Sequence, residues 1–265
     1  MNVACKIQAV GVRKEYEVSR KGGDRILALD GVDLEVHAGE FLAILGPSGC
    51  GKSTFLNIAA GLERSSAGEI RIDGQHVEGP GPDRAMCFQD HVLFPWKTVW
   101  ENVEFGLRVR GLGRKERAAI VAHYLGLVGL SKFANQYPHE LSGGMRQRCA
   151  LARTFALDAA TLLMDEPFAS VDAQTRNILQ EEILRIWDQG AGPRKTVVYV
   201  THSIEEAVFL ADRVAVMTAR PGRVLGVFDV PLYRPRNDET RSDSFFRDLV
   251  VHLWKVIRDQ VERIS

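Results

Sequence analysis

The sequence predicts an α/β fold: a mixed sheet flanked by helices, with an antiparallel β part near the N-terminus and an inserted helical subdomain. Three observations predict it. Short apolar runs of four or five residues, bounded by polar or turn residues, recur as buried strands do. One of them, FLAIL at 41–45, enters a glycine-rich turn that opens a stretch of helical spacing. Between about residues 95 and 157 the strand signals vanish and helical periodicity replaces them.

In chain order, EIRIDG (69–74) alternates like a solvent-facing strand and, lying near the N-terminal part, is the reason to expect a mixed sheet. After FLAIL, the stretch 53–62 is apolar at Phe55, Leu56, Ala59 and Leu62, a helical face. AMCF (85–88), TLLM (161–164), TVVYV (196–200) and RVAVM (213–217) complete the set of buried strands. RKERAAIVAHYLGLVGL and GMRQRCALARTFAL read as two helices separated by a break at Pro138. The GAGPR turn (190–194) and RPRND (234–238) punctuate the last third. Beyond them Phe246, Val250, Leu253, Ile257, Val261 and Ile264 form one apolar helical stripe, with Ser242 or Asp243 placed to cap it. The expected division is a core of 1–94 and 158–230, a helical insertion of 95–157 and a tail of 231–265.

Composition narrows the function. Thirty-four basic residues balance thirty-four acidic ones, so no global field favours nucleic acid or an anionic membrane. The cysteines, Cys5, Cys50, Cys87 and Cys149, form no CxxC pair, which argues against a zinc site or a disulfide framework and fits a reducing cytosol. No apolar run approaches the roughly 20 residues of a membrane-spanning helix, and the N-terminus lacks a signal-peptide run. The chain reads as soluble, able to dock on a membrane protein.

The segment GPSGCGKST (46–54) satisfies G-x-x-x-x-G-K-[ST] in the strand–loop–helix context the motif requires. Gly46, Pro47, Ser48, Gly49, Cys50 and Gly51 form a loop whose N–H groups converge on phosphate oxygens. Lys52 reaches the β- and γ-phosphates, Ser53 places its hydroxyl on Mg²⁺, and Thr54 continues the helix N-terminus. TLLMDEP brings Asp165 and Glu166 to the carboxyl end of a strand. Adjacent residues on an extended chain point apart, which suits Asp165 to the water shell of Mg²⁺ and Glu166 to the attacking water. Gln89, after AMCF, is placed to ligate Mg²⁺ and orient water, and His202, after TVVYVT, to contact the γ-phosphate. Alone, either is a plain surface group. Together, four strand ends at the Lys52 loop, Gln89, Asp165 and His202 converge on one edge of one sheet, a P-loop NTPase core.

A second phosphate-binding pattern remains. In LSGGMRQR (141–148), Ser142, Gly143 and Gly144 open a helix that carries arginines, so free N–H groups and a hydroxyl can bind an anion. Read by itself it is an N-cap with solvated arginines. The helical subdomain sets it apart from the P-loop, so it is not expected to face its own chain's nucleotide.

In the order GPSGCGKST, Gln89, LSGGMRQR, LLMDEP, SVDAQT and His202, over roughly residues 3–229, the chain resembles the ATP-binding subunits of ABC transporters. The resemblance implies a P-loop NTPase (RecA-like) fold and a head-to-tail dimer in which each ATP lies between one P-loop and the partner's LSGG segment. It implies trans roles for Ser142, Gly143, Gly144 and Asp172, a catalytic role for Glu166, a switch role for His202 and adenine stacking by Tyr16, which otherwise reads as a strand-packing tyrosine. It also implies Mg²⁺ with ATP, a second ATP-binding subunit, membrane permease subunits that dock on DHVLFPWKTVWENV (90–103), indirectly a substrate-binding protein, and a peripheral place on the cytoplasmic face of the cell membrane. The Pro95-Trp96 pair, TARPGRV and PLYRPR look like the importer branch for nitrate, sulfonates and taurine. Two departures stand out. FASVDAQT replaces that branch's usual FGALDAQT, a bulkier loop at Ser170 and Val171, and the C-terminal helix carries no regulatory motif.

Two other classes compete. A soluble ABC-type ATPase acting on a non-transport partner usually carries a long coiled coil or tandem cassettes, and this chain shows neither. A small-molecule kinase or GTPase would leave LSGGMRQR unexplained, and no NKxD base-reading motif is present.

Overall fold

The chain enters as two long antiparallel strands, β1 (Cys5–Glu17) and β2 (Arg25–His37), which a core strand β3 (Phe41–Leu45), a helix α1 (Lys52–Ala60) and two further strands, β4 (Ala67–Ile72) and β5 (Gln75–His76), then follow. The structure is a computed structural model that describes residues 4–17, 25–89, 92–169, 171–189 and 194–262. β2-β1-β4-β5 form an antiparallel sheet of their own. EIRIDG therefore belongs to this separate sheet and contributes nothing to the mixed character of the core.

The remaining elements are β6 (Arg84–Cys87), α2 (Val99–Val109), α3 (Arg114–Leu127), α4 (Gly143–Ala156), β7 (Thr161–Asp165), α5 (Ala173–Gln189), β8 (Thr196–Thr201), α6 (Ile204–Leu210), β9 (Arg213–Met217), β10 (Val224–Asp229), α7 (Asp238–Arg241) and α8 (Ser244–Glu262). The core sheet runs β10-β9-β3-β8-β7-β6. All neighbours are parallel except β10, which pairs antiparallel with β9 and is what makes the sheet mixed.

Burial on both faces explains why these short apolar runs are strands. Phe41, Ala43 and Leu45 of β3 face a cluster shared with α5, α6 and α8, while Leu42 and Ile44 face a second cluster under the antiparallel sheet and α1. Because both faces are covered, the strands read as continuous apolar runs. α2, α3 and α4 gather around a third cluster that includes Val103, Leu107, Val121, Leu125 and Cys149. Pro138 opens a 3₁₀ turn, Pro138–Glu140, between α3 and α4, as its missing N–H favours.

The tail is anchored by the predicted stripe. Phe246 and Leu253 are buried, and Val250 and Ile257 pack on the same cluster. Asp243 supplies the cap, accepting from Phe245 N at 2.7 Å, and Ser242 ends the preceding helix instead. The side chains of Val261 and Ile264, like residues 190–193 of the GAGPR turn, Ser170, Asp90 and His91, lie outside the described residues.

One buried cation joins the tail to the core. Arg236, 4% exposed, donates to five backbone carbonyls, those of Val208, Phe209 and Ala211 at the end of α6 and those of Val230 and Leu232. Burial pulls its pKa down to about 9, still a cation at neutral pH. The first three are otherwise orphan acceptors of the α6 C-terminus. Arg236→Met is expected to cost about 2–4 kcal/mol, seen as a fall in melting temperature of roughly 5–10 °C. A thermal scan showing a fall under about 2 °C would mean that water satisfies the same carbonyls.

Among the described residues the four cysteines are free, and burial pushes Cys87 and Cys149 up to about 12. No described helix is long and apolar enough to cross a membrane.

Candidate functional site

The carboxyl ends of β3, β8, β7 and β6, four neighbours in the sheet, present the P-loop, His202, Asp165 with Glu166, and Gln89 along one edge. That order places the glycine-rich loop beside His202 and the two acids between His202 and Gln89. A cleft of about 530 Å³ opens there, lined by Tyr16, Ile26, Ala28, Ser48, Gly49, Gly51, Lys52, Ser53, Thr54, Gln89, Glu166, His202 and Arg220.

The loop's shape follows from its glycines. Gly51 is the N-cap of α1 at φ 98°, and a Cβ there would fall 2.6 Å from Leu29 Cδ2 and 2.9 Å from the Ala28 carbonyl. Only glycine fits. Because Gly51 has no capping side chain, the first N–H groups of α1 stay available to an anion. Lys52, 5% exposed, donates through Nζ to the carbonyls of Gly46 at 2.8 Å and Pro47 at 3.0 Å. Gly46, Pro47 and the buried Cys50 do not line the cleft; they hold the loop and its lysine.

The paired acids separate more sharply than strand alternation requires. Asp165 ends β7, is 5% exposed, and its Oδ1 has no hydrogen-bond partner. Burial raises its pKa, with the neighbouring Ser53 and Lys52 pulling the other way and Glu166 adding to the rise. Glu166 takes φ 44°, a left-handed conformation rare for a non-glycine residue, while its N–H still reaches the Val200 carbonyl at 3.0 Å. This turn brings its carboxylate into the cleft, where Oε2 lies 3.0 Å from His202 Nδ1. A carboxylate and an imidazole thus form one hydrogen-bonded pair in the cleft.

The donor set fits Mg²⁺. Asp165 offers an orphaned, buried carboxylate oxygen beside Ser53, and Gln89 lines the same cleft. Among the described residues no group of three or more His, Cys, Asp or Glu forms a metal centre. Magnesium suits such a site, since it takes one or two protein oxygens together with substrate phosphates and water.

Tyr16 sits at the cleft rim, 37% exposed, with its hydroxyl 3.3 Å from Thr54 Oγ1 and donating to Glu63 Oε2 at 2.9 Å. Lys14 Nζ stands 5.1 Å from the ring centroid. The ring is therefore at the cleft and not packed inside a sheet.

Ser142, Gly143 and Gly144 are absent from this cleft. Ser142 caps α4, accepting from Met145 N at 3.2 Å. The arginines beside it are half-buried, and each has a backbone partner. Arg146 donates to the Leu141 carbonyl and Arg148 to that of Val128, both within the helical region, and Arg153 to that of Val92 just before it. Asp172 caps α5, accepting from Thr175 N at 3.0 Å, and backbone hydrogen bonds hold its carboxyl below the usual range. Val171 is buried, which absorbs the added bulk of the SVDAQT loop.

The sequence reading overlooked Ile26, Ala28 and Arg220, which line the cleft without belonging to a phosphate motif. It also overlooked Glu206, buried, which accepts from Tyr199 Oη and Thr201 Oγ1 at 3.0 and 2.8 Å and ties α6 to the strand end that carries His202. The alternation of β2 was the available signal for the first two.

A family profile described as ABC transporter matches residues 29–169. The nitrate import ATP-binding protein of Synechocystis sp. is 44% identical over 230 residues, covering 87% of this chain and 84% of that protein. The taurine import ATP-binding protein of Rhizobium johnstonii is 49% identical over 212 residues, 80% of each chain. An ATP-binding cassette solved as a dimer in a post-hydrolysis state with ADP and Pi superposes with a TM-score of 0.76 at 32% identity, covering 86% of this chain and all of that one. With its P-loop, paired acids and His202 gathered on one sheet edge, the chain belongs to the ABC transporter family, as an ATP-binding subunit that hydrolyses ATP to drive transport.

Proposed function

We propose that this chain powers an importer by ATP-driven head-to-tail dimerisation of two copies, with a small oxoanion or organosulfonate of the nitrate, sulfonate or taurine type as cargo. The observation that carries the dimer is the separation of two phosphate-binding features. The cleft is lined by P-loop residues, Glu166 and His202, whereas Ser142, Gly143 and Gly144 at the capped N-terminus of α4 line none of it. A second copy supplies what each lacks. The dimeric state of the similar cassette with ADP and Pi supports this reading.

In the closed pair, the P-loop residues 46–54 and Lys52 hold the phosphates, and Tyr16 carries the adenine. Ser142, Gly143 and Gly144 of the second copy meet the γ-phosphate, with Asp172 across the interface. Glu166 accepts the proton of the attacking water and His202 orients it. Ser53, Gln89 and, through water, Asp165 would hold Mg²⁺, which supplies charge neutralisation to the phosphate oxygens when bound. Closure requires tighter ATP binding in the closed state than in the open one, because equal affinity shifts nothing.

The helical region 95–157 acts as a subdomain that passes this motion on, at the cytoplasmic face of the membrane. Its docking surface for a permease is the segment around Phe94 and Trp96. There Trp96 is 70% exposed, yet the backbone is pinned, since the buried Asn102 side chain accepts from Phe94 N at 2.8 Å and donates to the Phe94, Lys97 and Thr98 carbonyls. An exposed tryptophan on a rigid backbone suits a partner surface. The cargo reading rests on the nitrate and taurine relatives.

The test is co-purification with the membrane partner and measurement of ATP turnover with nitrate, taurine or an alkanesulfonate and the matching binding protein. The expected result is a several-fold rise with one of them. If all three leave turnover unchanged in a complex that hydrolyses ATP, the cargo class falls and the ATPase stands.

A further inference from the structure

The turn between β9 and β10 carries a charged group that no phosphate motif accounts for. Arg220 lines the same cleft as Lys52, Glu166 and His202. Its Nε donates to the Gly49 carbonyl at 3.2 Å, its only hydrogen bond among the described residues. Nη2 stands 3.4 Å from where a Cβ on Gly49 would be, so the guanidinium lies against the loop itself.

The turn that presents Arg220 is braced. Gly222 N donates to the Ala28 carbonyl at 2.9 Å, and Asp30 N to the Gly222 carbonyl at 3.0 Å. A Cβ at Gly222 would fall 2.0 Å from the Cys50 carbonyl oxygen, so the backbone of this turn rests directly on the backbone of the P-loop. Thr218 Oγ1 accepts from Arg223 N at 3.0 Å and donates to the Pro221 carbonyl at 3.0 Å, and Arg223 pairs with Asp30. A long, flexible side chain is thereby delivered from a fixed base, which lowers the entropy lost when it binds.

We propose that Arg220 is a nucleotide-contacting residue: held at the Gly49 carbonyl through Nε, it donates through its two Nη groups to phosphate oxygens of bound ATP. The inference rests on the cleft being the nucleotide site. The charges around the cleft favour it. Lys52 contributes one ammonium, whereas Asp165 and Glu166 add negative charge close to a phosphate chain that is itself strongly anionic. A guanidinium matches phosphate geometry with two parallel hydrogen bonds, which an ammonium does not.

The experiment titrates ATP, ADP and AMP with Mg²⁺ against the full-length wild type, Arg220→Gln, Arg220→Lys and, as reference, Lys52→Ala, with a thermal scan of each. Glutamine keeps a donor for the Gly49 carbonyl but removes the charge; lysine keeps the charge. The expected result is that Arg220→Gln weakens ATP binding about tenfold and AMP binding much less, and that Arg220→Lys restores part of the loss. Raising salt should cost the wild type more affinity than Arg220→Gln. If Arg220→Gln binds ATP as the wild type does while Lys52→Ala is weakened, Arg220 makes no phosphate contact and the proposal is overturned. If glutamine sustains affinity and lysine does not, Arg220 is only a brace for Gly49, which also overturns it. A wild type that binds ATP no better than Lys52→Ala would overturn the nucleotide site itself, a result readable apart from either.

Discussion

Replacing Glu166 with glutamine is expected to lower ATP turnover by about 10²–10⁴-fold, the span general-base catalysis usually contributes. The substitution is close to isosteric, so it removes proton acceptance without opening a cavity. The strained φ of 44° and the bond from its N–H to the Val200 carbonyl stay in place, because both belong to the backbone. The amide can still meet His202 Nδ1, now 3.0 Å from the carboxylate. Nucleotide affinity should therefore change by less than a few-fold, and with hydrolysis blocked an ATP-dependent dimer should accumulate. Phosphate release and light scattering at saturating ATP and Mg²⁺ measure the two halves separately. A folded variant that stays monomeric under those conditions would sink the head-to-tail mechanism, whereas turnover near the wild-type rate would remove Glu166 from the chemistry.

Replacing Ser142 with arginine is expected to leave ATP binding by the isolated chain intact and to lower turnover by at least about 10²-fold, as loss of a phosphate-stabilising donor does. Ser142 is outside the cleft, so its own chain's nucleotide does not feel the change. Folding should tolerate it: losing the cap to Met145 N costs about 1 kcal/mol, and the arginines of α4 hold their carbonyls independently of it. A bulky side chain at this helix N-terminus nevertheless fills the space that a second copy's γ-phosphate would use, and its charge opposes the helix dipole. Equilibrium binding under monomeric conditions, compared with phosphate release at high protein concentration, checks the split. Collapse of monomer binding would mean that Ser142 serves the nucleotide of its own chain.

Much of the site was legible because its residues act through local backbone geometry. The P-loop needs glycines at fixed offsets, since Gly51 at φ 98° leaves no room for a side chain, and that requirement is written in the residues themselves. The buried strands were legible for a related reason, because a sheet covered on both faces demands unbroken apolar runs such as FLAIL and TVVYV. What escaped were residues whose role depends on what faces them. β10 alternates weakly and is an edge strand, so nothing in its pattern announced that it, and not EIRIDG, makes the core sheet mixed. The arginines of LSGGMRQR look identical on paper whether they meet phosphate or the carbonyls of Leu141 and Val128.

The sequence by itself determined the inventory of candidate residues: a glycine-rich loop of P-loop pattern, two acids at a strand end, a glutamine, a histidine and a second glycine-rich helix start. Each is set by backbone conformation or by position relative to its own strand. Only the tertiary structure decided how the inventory is shared out. The order β3-β8-β7-β6 puts Lys52, His202, Glu166 and Gln89 on one edge, the packing of the β9–β10 turn on the Cys50 carbonyl adds Arg220 to them, and the helical region carries Ser142 elsewhere. Those placements arise from contacts between residues far apart in the chain, which no local pattern encodes.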